Sequence, residues 1–249
     1  MIQIGIGLAE PNDKLIHAVE GAVAEGINVI IFAPQSMPQV PGITYRLSGN
    51  PESDLIDALM QGQIDGAVRG TLPANTTLRY LRNATGVDNL ERIALLETED
   101  GRKFLFAPVG IDEGSTIKSR INLIQSAERL ADQIGISKRV AILSGGRLGD
   151  LGRNPDVDQS LAEAELIARL TGGDHCEILI EDAVGQYGII IAPDGISGNL
   201  IFRTLVLLGS GTGHGAPVVN IDVPFVDTSR ATESFGNAIR LVKNLIVRK

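Results

Sequence analysis

From one end of the chain to the other, short apolar runs alternate with stretches whose apolar residues recur at helical spacing. Residues 2–7 and 28–32 read as buried strands. Between them, 13–25 reads as a helix with Leu15, Ile16, Val19, Ala22 and Val23 on one face and Gly26 as its left-handed stop. Asn50-Pro51 and Asn154-Pro155 each mark a helix start, Asn capping and Pro occupying the first turn, where its missing N–H costs nothing. Further helices are expected from Asn75, over 117–134, over 199–208, and from Thr228 or Ser229 to about residue 247. Further strands are expected at 65–68, 139–143, 177–180, 188–192 and 217–221. Asp100-Gly101, between 92–98 and 103–107, is a hairpin signal, because a tight antiparallel turn needs positive φ. Strands alternating with helices in this way predict an α/β fold, a mostly parallel sheet sandwiched by helices.

Composition removes several functions. With 22 Lys and Arg against 30 Asp and Glu, the net charge is −8, the wrong sign for a general nucleic-acid or anionic-membrane binder. Aromatic residues make up 4% and Trp is absent, which disfavours base stacking. Cys176 is the single cysteine, so neither an internal disulfide framework nor a multi-thiolate metal cluster is possible, and a reduced cytoplasmic setting is the default. No stretch reaches the roughly 18–20 apolar residues of a spanning helix, and the first residues lack the basic lead of a signal peptide. His17, His175 and His214 have no zinc spacing, so no metal is expected, and only His214, set among glycines, stays as a candidate. There is no Gly-x-Ser-x-Gly elbow, and His175 and Cys176, adjacent on an expected strand, point to opposite faces.

Ligands of open α/β sheets bind at the carboxyl ends of strands, which directs attention to 5–12, 69–75, 144–154, 193–199 and 222–230. Gly5-x-Gly7 is a broken dinucleotide fingerprint. Its third position is Glu10, whose carboxylate would repel a pyrophosphate, so the two glycines are read as packing residues. At 69–79, Arg69 and Gly70 leave a strand and Asn75-Thr76-Thr77 opens a helix bearing Arg79. Amides, hydroxyls and a guanidinium there make either an anion site or a solvated cap. The run 144–158 holds Gly145, Gly146, Gly149 and Gly152 with Arg147 and Arg153. Without Gly-Lys-Ser/Thr it is no Walker loop. It reads as a backbone cradle for a phosphate or acyl thioester, or as a flexible connection. Asp194, Asp222 and Asp227 each follow an apolar strand, as base, ligand or turn residue.

Several of these segments fall in a fixed order. Arg139-Val-Ala-Ile-Leu-Ser144 precedes the glycine-rich loop, Pro155-Asp-Val-Asp158 and Ala-Glu-Ala-Glu165. Then come Ile189-Ile-Ile-Ala-Pro193-Asp194, Ser197-Gly198-Asn199, Leu207-Leu208-Gly209 and Val223-Pro224-Phe225-Val226-Asp227-Thr228-Ser229-Arg230. Upstream stand Ile64-Asp65-Gly66-Ala67-Val68, Gly70, Thr76-Thr77 and Arg79. This collinear set, over roughly residues 55–249, resembles the phosphate acetyl/butyryltransferase family. Its shortness and first-domain motifs most resemble the methanogenesis marker protein 4 group, also labelled Mtx subunit X.

The resemblance implies a transferase in methanogen C1 metabolism, a methyltransferase subunit by the group's label, or a non-catalytic ligand-binding or regulatory subunit with the same fold. It implies an isocitrate/isopropylmalate dehydrogenase-like architecture of two subdomains, coarsely 1–112 and 113–249, with the last helix packing back, a central cleft and a homodimer. It places Asp158 at the catalytic position, Arg79 and Arg230 at anion-binding positions and Asn199 in a Gly-Asn loop. Thr76, Thr77, Ser144, Gly145, Gly146, Asp194, Asp227 and Ser229 complete the candidates for binding a small anionic substrate, with Arg153 as a second catalytic candidate. The implied ligand is CoA-like or phosphate-containing, and the implied partners are methyltransferase or corrinoid protein subunits. The family has a serine about seven residues before its catalytic Asp, where this chain has Leu151. Oxyanion stabilisation would then fall to Arg153 or backbone amides, or the chemistry differs.

Overall fold

The computed structural model describes residues 2–229 and 235–247. Its chain divides into two compact units, Met1–Leu90 with His214–Lys249, and Glu91–Gly213. The expected boundary at 112 would have left the Asp100-Gly101 hairpin with the N-terminal part. It packs instead in the second unit.

The first unit carries β1 (Gln3–Gly7), β2 (Asn28–Pro34), β3 (Thr44–Ser48) and β4 (Gly66–Val68). The second carries β5 (Ala94–Glu97), β6 (Lys103–Ala107), β7 (Val140–Ile142), β8 (Asp174–His175) and β9 (Ile189–Ile191). The chain then re-enters the first unit along β10 (Thr212–Pro217) and adds β11 (Phe225–Asp227). In the first unit the strand order is β3-β2-β1-β4-β11-β10, parallel except for the β10–β11 pair. Its helices are α1 (Asp13–Ala24), α2 (Pro51–Met60), α3 (Ala74–Thr85) and α8 (Phe235–Val247), with α1 packed on α8 and α2 on α3.

Register shows that both faces of this sheet are covered. Ile4 pairs with Gly66 and Gly5 with Ala67, so Gly5 and Gly66 face opposite ways. A Cβ on Gly5 would lie 2.8 Å from Leu55 of α2, and one on Gly66 would lie 2.4 Å from Val242 of α8. A Cβ on Gly7 would meet Leu72 at 2.2 Å, so Gly5 and Gly7 are packing glycines. Strands covered on both faces need apolar residues without alternation, which is how Val29 to Ala33 read.

The second unit orders its strands β5-β6-β9-β7-β8, parallel except for the β5–β6 hairpin, whose Gly101 has φ +85°. Its helices are α4 (Ile117–Ile134), α5 (Pro155–Thr171), the single turn α6 (Ile180–Ala183) and α7 (Gly195–Arg203), which continues as a π-helical turn over Thr204–Leu208. Thr116 and Ser119 form a reciprocal cap on α4, and Asn154 caps α5 by accepting from the Asp156 N–H at 2.9 Å.

Four local expectations are corrected. The helix expected from Asn75 starts at Ala74 with Pro73 before it, so Asn75 lies inside the first turn. The strand expected at 177–180 is β8 at 174–175 followed by α6, because Glu177 turns the chain with φ +54°. Helix α7 starts at Gly195, four residues before the expected start, capped by Asp194, which accepts from the Ile196 and Ser197 N–H groups. The strand expected at 217–221 runs over 212–217, through the glycines that follow the helix expected at 199–208. No described helix is long and apolar enough to cross a membrane.

Candidate functional site

Beyond β7 the chain turns at Ser144, which is 1% exposed. Its N–H donates to the Glu177 carbonyl at 2.7 Å and its hydroxyl to the Gly146 carbonyl at 2.9 Å. Four side chains then fasten the glycine-rich loop 145–153. Ser160 Oγ accepts from the Gly145 N–H at 2.8 Å, Asp150 Oδ2 from Arg147 at 2.9 Å, Glu177 Oε1 from Leu148 at 3.1 Å, and Asp158 Oδ1 from Gly152 at 2.8 Å. Arg153 pairs with Asp150. The Arg147 N–H, and after it Arg153, hold the Asp150 carboxyl below the usual carboxylate range. Ser144, Gly145, Gly146, Arg153 and Asp158 therefore share one corner at the carboxyl ends of β7 and β8. Among the described residues, Asp158 Oδ2 and the Gly146 N–H have no hydrogen-bond partner.

His175, set aside on sequence, belongs to the same corner. Nε2 lies 2.9 Å from Ser144 Oγ and Nδ1 3.2 Å from Glu165 Oε2, with the ring 6% exposed and Glu165 68%. Pairing of Ile142 with His175 brings the ring beside the end of β7. A two-residue strand carries no periodic signal from which that register could be read.

The other candidates lie elsewhere. In the first unit, Arg69 is buried where β4 ends, donating Nε to Asp227 Oδ1 at 2.5 Å and Nη1 to the Leu72 carbonyl at 2.6 Å. Thr228 donates its hydroxyl to the Gly70 carbonyl at 2.8 Å. Gly70 has φ +61°, and a Cβ there would lie 1.9 Å from the Gly7 carbonyl. Asp227 is thus tied into the loop 69–72. Thr77 is buried and donates its hydroxyl to the Pro73 carbonyl at 2.8 Å, whereas Thr76 is half-buried and Arg79 exposed on α3, whose start has no side-chain cap. Ser229 follows half-buried, and Arg230 lies outside the described residues. Back in the second unit, Asp194 spends its carboxylate on the α7 amides and Asn199 donates to the Val109 carbonyl at 2.8 Å. Beside it, Glu113 accepts from the Val109 and Gly110 N–H groups at 3.2 and 2.9 Å and pairs with Arg92. His214 is buried in β10. Among the described residues, no group of three or more His, Cys, Asp and Glu is placed to hold a metal.

No family model matches the chain. It is 40% identical over 251 residues to a Methanosarcina barkeri protein named "Putative methyltransferase mtx subunit X", an alignment covering 98% of this chain and 93% of that one. It belongs to the Mtx subunit X family. A Methanosarcina mazei member with the same name is 41% identical, covering 98% of this chain and 90% of its own. An uncharacterized methyltransferase of Methanocaldococcus jannaschii is 39% identical over 256 residues, covering 97% of each chain. Among solved structures, a branched-chain phosphotransacylase from Enterococcus faecalis superposes with TM-score 0.76 at 18% identity, covering 99% of both chains. A phosphotransacetylase from Streptococcus pyogenes gives 0.71 at 16%, covering 100% of this chain and 94% of that one. At such identities the likeness shows the fold, and this Mtx subunit X family member has the α/β fold of phosphotransacylases, with mostly parallel strands flanked by helices.

Proposed function

We propose that the protein is a transferase of phosphotransacylase ancestry in methanogen C1 metabolism, moving an acyl or methyl group to or from a CoA-like or phosphate-containing carrier. The observation that carries this reading is the fastened 144–153 loop, whose unpartnered Gly146 N–H and Asp158 Oδ2 lie at the carboxyl ends of parallel strands. In the reading, Asp158 keeps Oδ1 on Gly152, which fixes its rotamer, and takes the proton of the attacking nucleophile on Oδ2. Gly146 N–H supplies the donor to developing negative charge that Leu151 lacks. Arg153 is the poorer donor, since it is exposed and already paired with Asp150. Arg79, exposed on α3 of the first unit, is the candidate there for holding a phosphate or sulfate. The subunit name of its relatives supports a multi-subunit assembly, and a corrinoid protein subunit is the partner methyl transfer would need.

Three assays test this. Acyl-CoA and phosphate should give acyl phosphate at a rate below a phosphotransacetylase by about 10² or more, because the serine hydroxyl is lost at Leu151 and the Gly146 N–H replaces it only in part. Leu151→Ser should raise that rate. Leu151 is 70% exposed, so the change costs little stability. Label transfer from a methylated corrinoid protein tests the methyl alternative. Phosphate or sulfate should raise the melting temperature of wild type but not of Arg79→Ala. A second reading, a non-catalytic ligand-binding or regulatory subunit, is favoured by Leu151 itself. It gains if ligands stabilise the protein while no transfer occurs and Asp158→Asn changes nothing.

A further inference from the structure

We propose that Glu177 is the positioning residue of this corner: its carboxylate, carried on a left-handed turn of backbone, aims the Gly146 N–H. The inference rests on the transferase reading for its effect on turnover. Two holds on the loop come from this one residue. Its carbonyl accepts from the Ser144 N–H at 2.7 Å, and its Oε1 accepts from the Leu148 N–H at 3.1 Å. Gly146 stands midway between the two. The Gly145–Gly146 peptide has no side chain on either side to restrict φ and ψ, so hydrogen bonds have to set its direction. The Gly145 N–H donates to Ser160, and the Gly146 carbonyl accepts from Ser144 Oγ. Further along, the loop bonds to itself: the Arg147 N–H donates to Asp150 Oδ2, the Asp150 N–H to the Arg147 carbonyl and the Leu151 N–H to the Leu148 carbonyl. Among the described residues, Leu148 to Glu177 is the single hydrogen bond that ties 146–151 to a residue outside 144–153.

The backbone of Glu177 supports the same assignment. The chain turns between β8 and α6 with φ +54° at Glu177, and the other described residues with positive φ are all glycine. Glycine would make this turn without strain, whereas a side chain there is held against its preference. Such strain is retained where the surrounding structure uses it. The turn by itself does not call for glutamate; the Leu148 amide does, because it needs an acceptor reaching back from the turn. Gly146 in turn lies against α5, where a Cβ on it would meet Val157 at 2.6 Å, next to Asp158 in the first turn of that helix. The N–H that Glu177 aims and the carboxylate of Asp158 therefore stand at the same helix start. Glu177 acts through the loop backbone, which makes it a positioning residue and not a catalytic one.

Glu177→Gly is the decisive variant, because glycine keeps the left-handed turn and removes only the side chain. One-bond N–H dipolar couplings in a weakly aligned sample, with no substrate present, report the direction of the Gly146 N–H. That coupling should shrink in Glu177→Gly as the peptide samples several directions, while the couplings of α4 and β9 stay those of wild type. Glu177→Gln keeps a side-chain carbonyl oxygen for the Leu148 N–H and should restore the wild-type value. In transfer assays Glu177→Gly should lower kcat by about tenfold or more, toward the 10²–10³ that loss of an oxyanion donor costs, with KM within about twofold of wild type. Glu177→Gln should recover most of that loss. An unchanged Gly146 coupling in Glu177→Gly, a Glu177→Gln protein that behaves like Glu177→Gly, or a wild-type kcat in Glu177→Gly would overturn the assignment. Couplings that respond as expected in a protein that transfers nothing would keep the positioning role of Glu177 and remove the transferase reading instead.

Discussion

Asp158 and Asp227 are both carboxylates near strand ends, yet their surroundings separate their roles. Asp158 has one oxygen on the Gly152 amide and the other without a partner among the described residues. Asparagine can keep the first bond through its carbonyl oxygen but cannot take a proton. Asp158→Asn should therefore leave the melting temperature nearly unchanged and lower transfer by about 10²–10⁴, the usual span for a positioned acid or base. A large fall in melting temperature would show that Asp158 serves the loop alone. Asp227 instead meets the buried Arg69 guanidinium at 2.5 Å. Asp227→Ala leaves that charge without its carboxylate in the interior and should cost about 3–5 kcal/mol in urea unfolding. The double variant Arg69→Met, Asp227→Leu should recover most of the loss, because it removes both charges. If the single variant is neutral, the pair contributes no net stability.

At the scale of the element, α4 and α5 are joined by a buried arginine. Arg120 of α4 pairs with Glu163 of α5 and donates to the Pro193 carbonyl at 2.8 Å. The Gln159 hydrogen bond, and after it Arg120, lower the Glu163 pKa below its ordinary value. A carboxyl lowered in the folded state binds more protons when unfolded. Its stabilisation is complete above the unfolded value and is lost as pH falls through the lower folded one. Stability should therefore drop in acid with a share that Glu163→Gln removes, and parallel unfolding curves of the two proteins below pH 5 would reject the assignment. Elements like these were legible. Helices opened by Asn-Pro and strands such as Ile189–Ile191, buried on both faces, carry their environment in their composition. The edge strands β3 and β8 do not, since Thr-Tyr-Arg-Leu-Ser and Asp-His have little to bury. The same limit hid part of the site. Its glycines and Ser144 stand out along the chain and Asp158 enters through the family resemblance, whereas His175 arrives on β8, and nothing local indicates that Ser160 and Glu177 fold back onto the loop.

For the whole molecule, the question is what meets its apolar exposed surface. Ile196 and Leu200 are 62% and 61% exposed and lie four residues apart on α7, and Leu208, at the end of the π-helical turn, is 85% exposed. The second unit also exposes Ile111, Leu166 and Leu170. Large aliphatic side chains at helical spacing face water at a cost that a second copy would remove. We therefore expect a homodimer in which α7 meets its symmetry mate, since an isologous contact lets one stripe serve both partners. A stable interface buries about 1,200–2,000 Å², so two charges set into the stripe should suffice to break it. Each protomer carries −8, so the two repel, and added salt should tighten the dimer if its contacts are apolar. Sedimentation at micromolar concentration should give twice 26.4 kDa for wild type, with the dimer favoured at higher ionic strength. Leu200→Asp with Leu208→Asp should give a folded monomer with an unchanged melting curve per chain at low concentration. A monomeric wild type at every salt concentration would remove the dimer, and a dimer that survives both charges would move the interface away from α7.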